Sequence, residues 1–181
     1  MGQGQDRGGG YRRLSGQKER RVLYLDVPPF DVLTSQAVPY TGFGDPLAAA
    51  EKQQSGFQQT ENRARKRVLE VFNLDLSEAK EFPGSLEAII AQMWSEGWQP
   101  EPGDINLFAT DFGCLLTGAL RQTLGGQLVF RSPTDLSHLS MWWPKSSVEA
   151  FPFHKTYKRL QVAEGDSIAF FARSLTKLVG G

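Results

Sequence analysis

The chain has 181 residues, of which 40% are hydrophobic and 22% are charged, and its formal net charge at pH 7 is zero. This length supports one sizeable core rather than two full-sized domains, and the composition argues against wholesale disorder and against a fibrous repeat. We expect no membrane span, because no run reaches roughly 18 apolar residues, and no secretory signal, because no apolar segment follows the N-terminus.

The zero net charge hides an uneven distribution along the chain. Residues 1–21 contain six basic and two acidic residues, a net charge of +4, and the remainder contains 14 basic and 18 acidic residues, a net charge of −4. Gly, Gln and Arg predominate in residues 1–20, where large apolar side chains are scarce, so we predict a flexible, disordered basic arm there. A single domain over residues 21–181 follows it. The arm is either a solvated tail or a segment that binds nucleic acid or an anionic membrane.

The first predicted elements of the domain are a short strand and two helices. The apolar run of residues 21–27 predicts the strand, and residues 30–44 have the composition of a loop. Asp45-Pro46 predicts the start of a short helix to about residue 54, because Asp caps helices and Pro suits their first position. A separate, longer helix is predicted over residues 58–72.

This longer helix has two faces of different chemistry. One face is apolar and is expected to be buried, with Ala64, Val68, Val71 and Phe72. The other face is basic, with Arg63, Lys66 and Arg67. The pairs Glu61 with Arg65 and Lys66 with Glu70 stand four residues apart and can form ion pairs.

Two further helices follow from apolar periodicity. The first has one buried side made of Leu86, Ile89, Ile90, Met93 and Trp94. We expect Ser85 to cap it and Gly97 to end it. The second covers about residues 105–124 and is the most apolar, which favours a central position. Its small residues recur every four positions and permit close approach of a neighbour: Ala109, Gly113 and Thr117.

A hairpin is predicted after the glycine pair Gly125-Gly126, where the apolar helix ends. Residues 127–131 and 138–143 alternate between apolar and polar side chains, as strands with one buried face do. Leu128, Phe130, Leu139, Met141 and Trp143 share the predicted buried face. The opposite face carries Arg131, His138 and Trp142.

The C-terminal third predicts one more strand and one more helix. Residues 148–153 indicate a short strand, at the edge of the sheet because Pro152 cannot donate a backbone hydrogen bond. Residues 154–160 are either a helical turn or an irregular basic segment. Asp166 or Ser167 can cap a last helix, whose apolar stripe is Ile168, Phe171, Ala172, Leu175 and Leu178 or Val179. The whole pattern predicts an α+β domain with several helices on a small, mainly antiparallel sheet.

A set of structural motifs in this third resembles a known kind of domain. It comprises residues 118–126 with the following hairpin, Phe151-Pro152-Phe153, Lys158-Arg159-Leu160 and the last helix. In this order the motifs resemble small uncharacterised bacterial domains of unknown function. The resemblance implies an α+β fold and no activity.

Three functional hypotheses remain open. The first is a non-enzymatic protein-interaction module of the adaptor or immunity type, because a tryptophan beside an arginine is typical of interface anchors. Its binding residues would be Arg131, His138 and Trp142. Against it stands the alternative that another element covers this face and that Trp142 belongs to the core.

The second hypothesis is nucleic-acid or anion binding by the arm and by basic helix faces. The candidate residues are Arg12, Arg13, Arg63, Lys66, Arg67, Lys155, Lys158 and Arg159. The alternative is that these side chains lie in solvent or pair with carboxylates of the domain.

The third hypothesis is an enzyme whose residues converge only in three dimensions. We predict no catalytic residue, metal or cofactor, because two distant histidines and one cysteine offer no ligand spacing. Cys114 lies in the most apolar helix, where a thiol behaves as a small hydrophobe. Since a single cysteine allows no internal disulfide, we expect a cytoplasmic protein. The identity of the partner and the oligomeric state stay open.

Overall fold

A computed structural model describes residues 23–26, 46–73, 81–130, 139–162 and 167–180, with the backbone alone for 24 and 46–53. The described strands are β1 (Leu23–Leu25), β2 (Gln127–Phe130), β3 (Leu139–Trp143) and β4 (Val148–Ala150). The described helices are α1 (Pro46–Phe72), α2 (Phe82–Ser95), α3 (Pro102–Leu124), α4 (Pro152–Gln161) and α5 (Ile168–Val179). The predicted arm and the predicted loop at residues 30–44 lie outside the described residues.

The four strands form one sheet in the order β1-β4-β3-β2. β2 pairs antiparallel with β3, and β3 pairs antiparallel with β4, whereas β1 pairs parallel with β4. The α+β fold with a small, mainly antiparallel sheet is therefore confirmed. The edge position predicted for β4 is wrong, because β1 and β3 flank it on both sides. Pro152 stands at the start of α4, where a missing N–H costs nothing.

The core lies between one face of the sheet and the helices. Met141 and Trp143 of β3 and Val148 and Ala150 of β4 point into it and are buried with apolar residues of the helices. A second cluster joins Leu139 to α1, α3 and α4 through Phe57, Cys114 and Phe153. Leu139, Met141 and Trp143 are all buried, as predicted for the inward side of β3, but Ser140 on the opposite side is buried as well, so the predicted single buried face is not confirmed at that residue.

Helix α1 is continuous, so the predicted break between two shorter helices is wrong. A Cβ added at Gly56 would meet nothing within 4 Å, which leaves the position with only the ordinary helix penalty of glycine, about 1 kcal/mol. The neighbouring Phe57 is 3% exposed and its burial offsets this penalty. Ala64 and Val68 are buried as predicted, but Val71 is 63% exposed and lies outside the apolar stripe.

The helix ends follow local chemistry. Glu101 and Asp104 form a capping box at the start of α3, and the Ser167 hydroxyl accepts the N–H of Phe170 at 3.2 Å at the start of α5. The predicted cap by Ser85 is wrong, because α2 begins earlier at Phe82 and the Ser85 hydroxyl lies within its first turn. The positive φ of 82° at Gly97 confirms that a glycine ends this region.

Helix α4 packs closely on the small residues of α3, as their spacing predicted. A Cβ built at Gly113 would lie 2.6 Å from Phe153 Cδ1 and 3.0 Å from Phe153 Cα. The Thr156 hydroxyl, which is fully buried, donates to the Ala109 carbonyl at 3.2 Å and to the Phe153 carbonyl at 2.8 Å. This contact fixes α4 on the central helix.

Substituting Gly113 by alanine is expected to lower the free energy of unfolding by about 1–3 kcal/mol, because the added methyl group overpacks against Phe153. Gly56→Ala is the matched control in a helix with open space, and it should raise stability by about 0.5–1 kcal/mol. Urea denaturation of both variants measures the difference. Equal effects of the same sign would contradict the close contact.

Candidate functional site

The side of the sheet opposite the core is the candidate site, and we call it the outer face. Side chains alternate along a strand, so the residues between the inward ones point to this face. They are Gln127 and Val129 of β2, Ser140 and Trp142 of β3, and Glu149 of β4. The structure thus places Trp142 on the predicted side of the hairpin.

Trp142 stands at the centre of the outer face. Gln127 is its cross-strand neighbour on β2 and Glu149 is its neighbour on β4. Trp142 is half-buried and Gln127 is exposed. The indole is therefore not enclosed in the core, and part of it remains available for contact.

The polar residues beside Trp142 are held in place. The Ser140 hydroxyl donates to Glu149 Oε1 at 2.5 Å, a length typical of hydrogen bonds to a carboxylate. Both residues are buried, Ser140 completely and Glu149 to 5% exposure. The hydrogen bond restrains the carboxylate next to Trp142 and joins β3 to β4 across the outer face.

The other two residues predicted for this site, Arg131 and His138, lie outside the described residues. Of the predicted protein-binding set, the structure therefore places Trp142 alone. Gln127 and Glu149 were not among the predicted site residues. The same two-residue alternation, applied to β4 as well as to the hairpin, would have found Glu149.

The basic face of α1 is largely neutralised by nearby carboxylates. Arg67 forms an ion pair with Asp111 of α3, and Arg63 lies 4.0 Å from the other oxygen of the same carboxylate. Lys66 lies 3.8 Å from Glu70, as predicted. Arg65 pairs with Glu61 at 2.8 Å, which confirms the second predicted pair along this helix. Asp111 is 1% exposed, so its carboxylate is buried where it meets Arg67.

The basic segment of the C-terminal third is helical, and its cations face carboxylates inside the fold. Lys155 and Lys158 of α4 lie 3.7 and 2.9 Å from the carboxylate of Asp26, the residue that follows β1. Arg159 donates from Nε to Glu87 of α2 at 2.7 Å. Lys155 and Arg159 are buried, because the face that carries them packs onto the domain.

Each described residue of the predicted anion site therefore has a carboxylate within 4.0 Å. The ion pairs of Lys155, Lys158 and Arg159 with carboxylates of the domain argue against an open phosphate-binding face made of these residues, whose anion-binding role stays a prediction. Arg12 and Arg13 lie outside the described residues. Asp26 was not predicted as a partner, because 132 positions separate it from Lys158 and no local pattern connects the two residues.

Cys114 has a thiol that could in principle act as a nucleophile, and it is buried in α3. Burial raises the pKa of its thiol far above the ordinary value of 9.0, and the negative charges of Asp111 and Glu61 raise it further. The sulfur therefore stays protonated and packs as a small apolar group. Among the residues that the structure describes, no three His, Cys, Asp or Glu side chains are arranged to hold a metal ion.

Comparisons with known proteins identify no relative of this chain. No family model, curated protein or solved structure matches the chain. The resemblance to small bacterial domains stays a prediction. Within the described part of the chain, every helix is too short or too polar to cross a membrane.

Proposed function

We propose that the protein is a protein-interaction module that binds a partner through the outer face of its sheet, with Trp142 as the anchor. One observation carries the proposal: Trp142 is half-buried at the centre of this face, between Gln127 and Glu149. More specifically, we propose a non-enzymatic role of the adaptor or immunity type.

The chemistry of the face suits a protein partner. An indole offers a large rigid surface at low cost in conformational entropy, and aromatic anchors dominate the energy of protein interfaces. Gln127 is exposed beside it and offers an amide that both donates and accepts hydrogen bonds. The expected partner presents an apolar side chain or a proline to the indole and a backbone amide to Gln127.

The ion pairs favour this proposal over nucleic-acid binding. A nucleic-acid surface needs cations that are free to replace the counterions of phosphates. The described basic residues of α1 and α4 that were candidates for that role have carboxylates within 4.0 Å instead. Of the residues predicted for that role, Arg12 and Arg13 of the arm lie outside the described residues.

Replacing Trp142 by alanine is expected to weaken partner binding by about 2 kcal/mol or more, the size typical of an interface anchor. A partner is first captured from cells with the intact protein and identified by mass spectrometry. Its affinity for the purified wild type and the Trp142→Ala variant is then measured by calorimetry. Gln127→Ala should reduce the affinity less, because an exposed hydrogen bond contributes about 1 kcal/mol.

Leu107→Ala is the matched control, since Leu107 is 44% exposed but lies on α3. The control variant should bind as the wild type does. Thermal unfolding of all variants separates lost binding from lost folding. The proposal fails if Trp142→Ala folds normally and binds the captured partner with unchanged affinity, or if the purified full-length protein captures only nucleic acid.

A further inference from the structure

Helix α5 has an outward side with exposed apolar residues. Its inward side consists of Ile168, Phe171, Ala172 and Leu175, all of them buried in the core. On the outward side, the Phe170 side chain is 63% exposed and that of Leu178 is 40% exposed. A single exposed apolar residue needs no explanation. On this helix, however, exposed basic residues stand beside the exposed apolar ones.

Two basic residues accompany Phe170 on the outward side, Arg173 and Lys177, and both are exposed. The sequence has no Asp or Glu between positions 167 and 181. Within the described residues, neither base has a carboxylate within 4.0 Å, in contrast to the paired bases of α1 and α4. Their charges are therefore available to an anionic partner.

Helical geometry places these three side chains together. Phe170, Arg173 and Lys177 stand at positions i, i+3 and i+7, which fall along one line of an α-helix. Leu178 stands eight residues after Phe170, about two turns along the helix, and lies beside this line. The line of the Phe170 ring and two cations lies on the side of α5 that faces away from the core.

We propose that this side of α5 docks on an anionic phospholipid surface. The helix would lie in the plane of the membrane interface, with the Phe170 ring entering the boundary of the acyl chains and with Arg173 and Lys177 among the headgroups. An exposed apolar ring followed by two cations along one line of the helix matches a surface that is apolar below and anionic above. Nucleic acid would use the cations but would leave the Leu178 side chain in water.

The proposal concerns a surface other than the outer face of the sheet, so the two can be tested separately. The probe is large unilamellar vesicles of phosphatidylcholine with 30 mol% phosphatidylserine, about the composition of an anionic leaflet. The full-length protein is sedimented with these vesicles and with pure phosphatidylcholine vesicles. We expect binding to the anionic vesicles, and we expect salt to weaken it.

The double variant Arg173→Gln/Lys177→Gln should reduce the partition coefficient about 30-fold, since each base near an anionic surface contributes about a factor of five. Its matched control is Arg121→Gln/Lys145→Gln, which removes the same charge from two exposed bases elsewhere. Within the described residues, these two bases also have no carboxylate within 4.0 Å. Because every variant keeps the basic arm, the difference between the two double variants reports α5 alone.

The variant Phe170→Ser should reduce the partition coefficient about tenfold or more through lost insertion of the ring. Its control is Leu69→Ser, because Leu69 is 52% exposed on α1. Trp142→Ala should leave vesicle binding unchanged. All substituted side chains of these variants, apart from that of Trp142, are exposed, and thermal unfolding verifies that each variant folds.

Three results would overturn the proposal. The first is absence of wild-type binding to the phosphatidylserine vesicles at low salt. The second is an equal loss in the two double variants, which would mean attraction by net charge without a specific helix. The third is binding to a duplex oligonucleotide or to polyglutamate that Phe170→Ser leaves intact while vesicle binding is weak.

Discussion

Replacing Arg67 by alanine is expected to lower the free energy of unfolding by about 3–5 kcal/mol, the cost of stranding a buried charge. Asp111 of α3 is 1% exposed, and Arg67 of α1 is its ion-pair partner. Oδ1 of Asp111 is buried and accepts no hydrogen bond. Without Arg67, the carboxylate would keep only the attraction of Arg63, which lies 4.0 Å away and whose side chain is 59% exposed.

Asp111→Asn is the matched control, because it removes the charge and keeps the shape of the side chain. Replacement of a buried ion pair by neutral groups is often neutral or stabilising, so Asp111→Asn should recover part of the stability lost in Arg67→Ala. Urea denaturation of the two single variants and the double variant gives the coupling free energy. A coupling near zero would mean that Arg67 stabilises the fold through its aliphatic stem alone.

The dependence of the free energy of unfolding on pH is a second way to test the role of Asp111. Burial raises the pKa of this carboxyl above its ordinary value of 3.8, and the charges of Arg67 and Arg63 lower it by less. The folded state thus holds the proton more tightly than the unfolded state does. The contribution of Asp111 to stability is fully present below its unfolded pKa and is lost as the pH rises through the raised folded pKa. As the pH rises through this window, the free energy of unfolding of the wild type should therefore fall relative to that of Asp111→Asn.

Local patterns were sufficient for most of the fold. The period of 3.6 residues predicted the buried stripe of α5, and Ile168, Phe171 and Leu175 are all buried in it. The period of two predicted that β2 and β3 pair as a hairpin with Met141 inside. Such elements are predictable because one face of each is buried, so apolar residues recur in the sequence at the period of the helix or the strand.

Two of the errors in the elements concern the course of α1 and the place of β4 in the sheet. Ser55-Gly56 is typical of a helix break, but α1 continues through it because Phe57 joins the cluster of Cys114 and Phe153. Pro152 indicated an edge strand, but the chain leaves the sheet for α4 at that residue. Neither Cys114 nor Phe153 is near Phe57 in sequence, so no local rule predicts that α1 continues.

Charge partners were the least predictable part of the candidate sites. The pairs within α1 stand four residues apart and were predicted, whereas 44 positions separate Arg67 from Asp111 and 72 separate Arg159 from Glu87. The sequence shows the bases and the acids, but only the fold decides which of them meet. For this reason the basic faces of α1 and α4 looked free for anions in the sequence and are paired in the structure.

The second large effect is expected at Arg159, whose replacement by alanine should lower the free energy of unfolding by about 3 kcal/mol. Arg159 is 3% exposed and donates to Glu87 at 2.7 Å and to the Val162 carbonyl at 2.8 Å. The second oxygen of Glu87 accepts the N–H of Ile168 at 2.7 Å, at the start of α5. One guanidinium and one carboxylate thus hold α2, α4 and α5 together.

Two substitutions separate the charge of Arg159 from its packing. Arg159→Met keeps an apolar stem of similar length, so it should recover the packing but leave Glu87 without its cation. Arg159→Lys keeps the charge but not the planar set of guanidinium donors. It should therefore lose less stability than Arg159→Met or Arg159→Ala. Chemical denaturation should therefore rank the free energies of unfolding as wild type, Lys, Met and Ala, from highest to lowest.

This ranking also distinguishes a structural arginine from an anion-binding one. If Arg159 served an external phosphate, Arg159→Met would keep its stability, and added phosphate would stabilise the wild type but not the variant. The contacts with Glu87 and Val162 predict the reverse, with lower stability in every variant and no response to phosphate. Because α5 begins on the same carboxylate, Arg159→Ala should also increase hydrogen exchange at the first amides of α5 more than at those of α3.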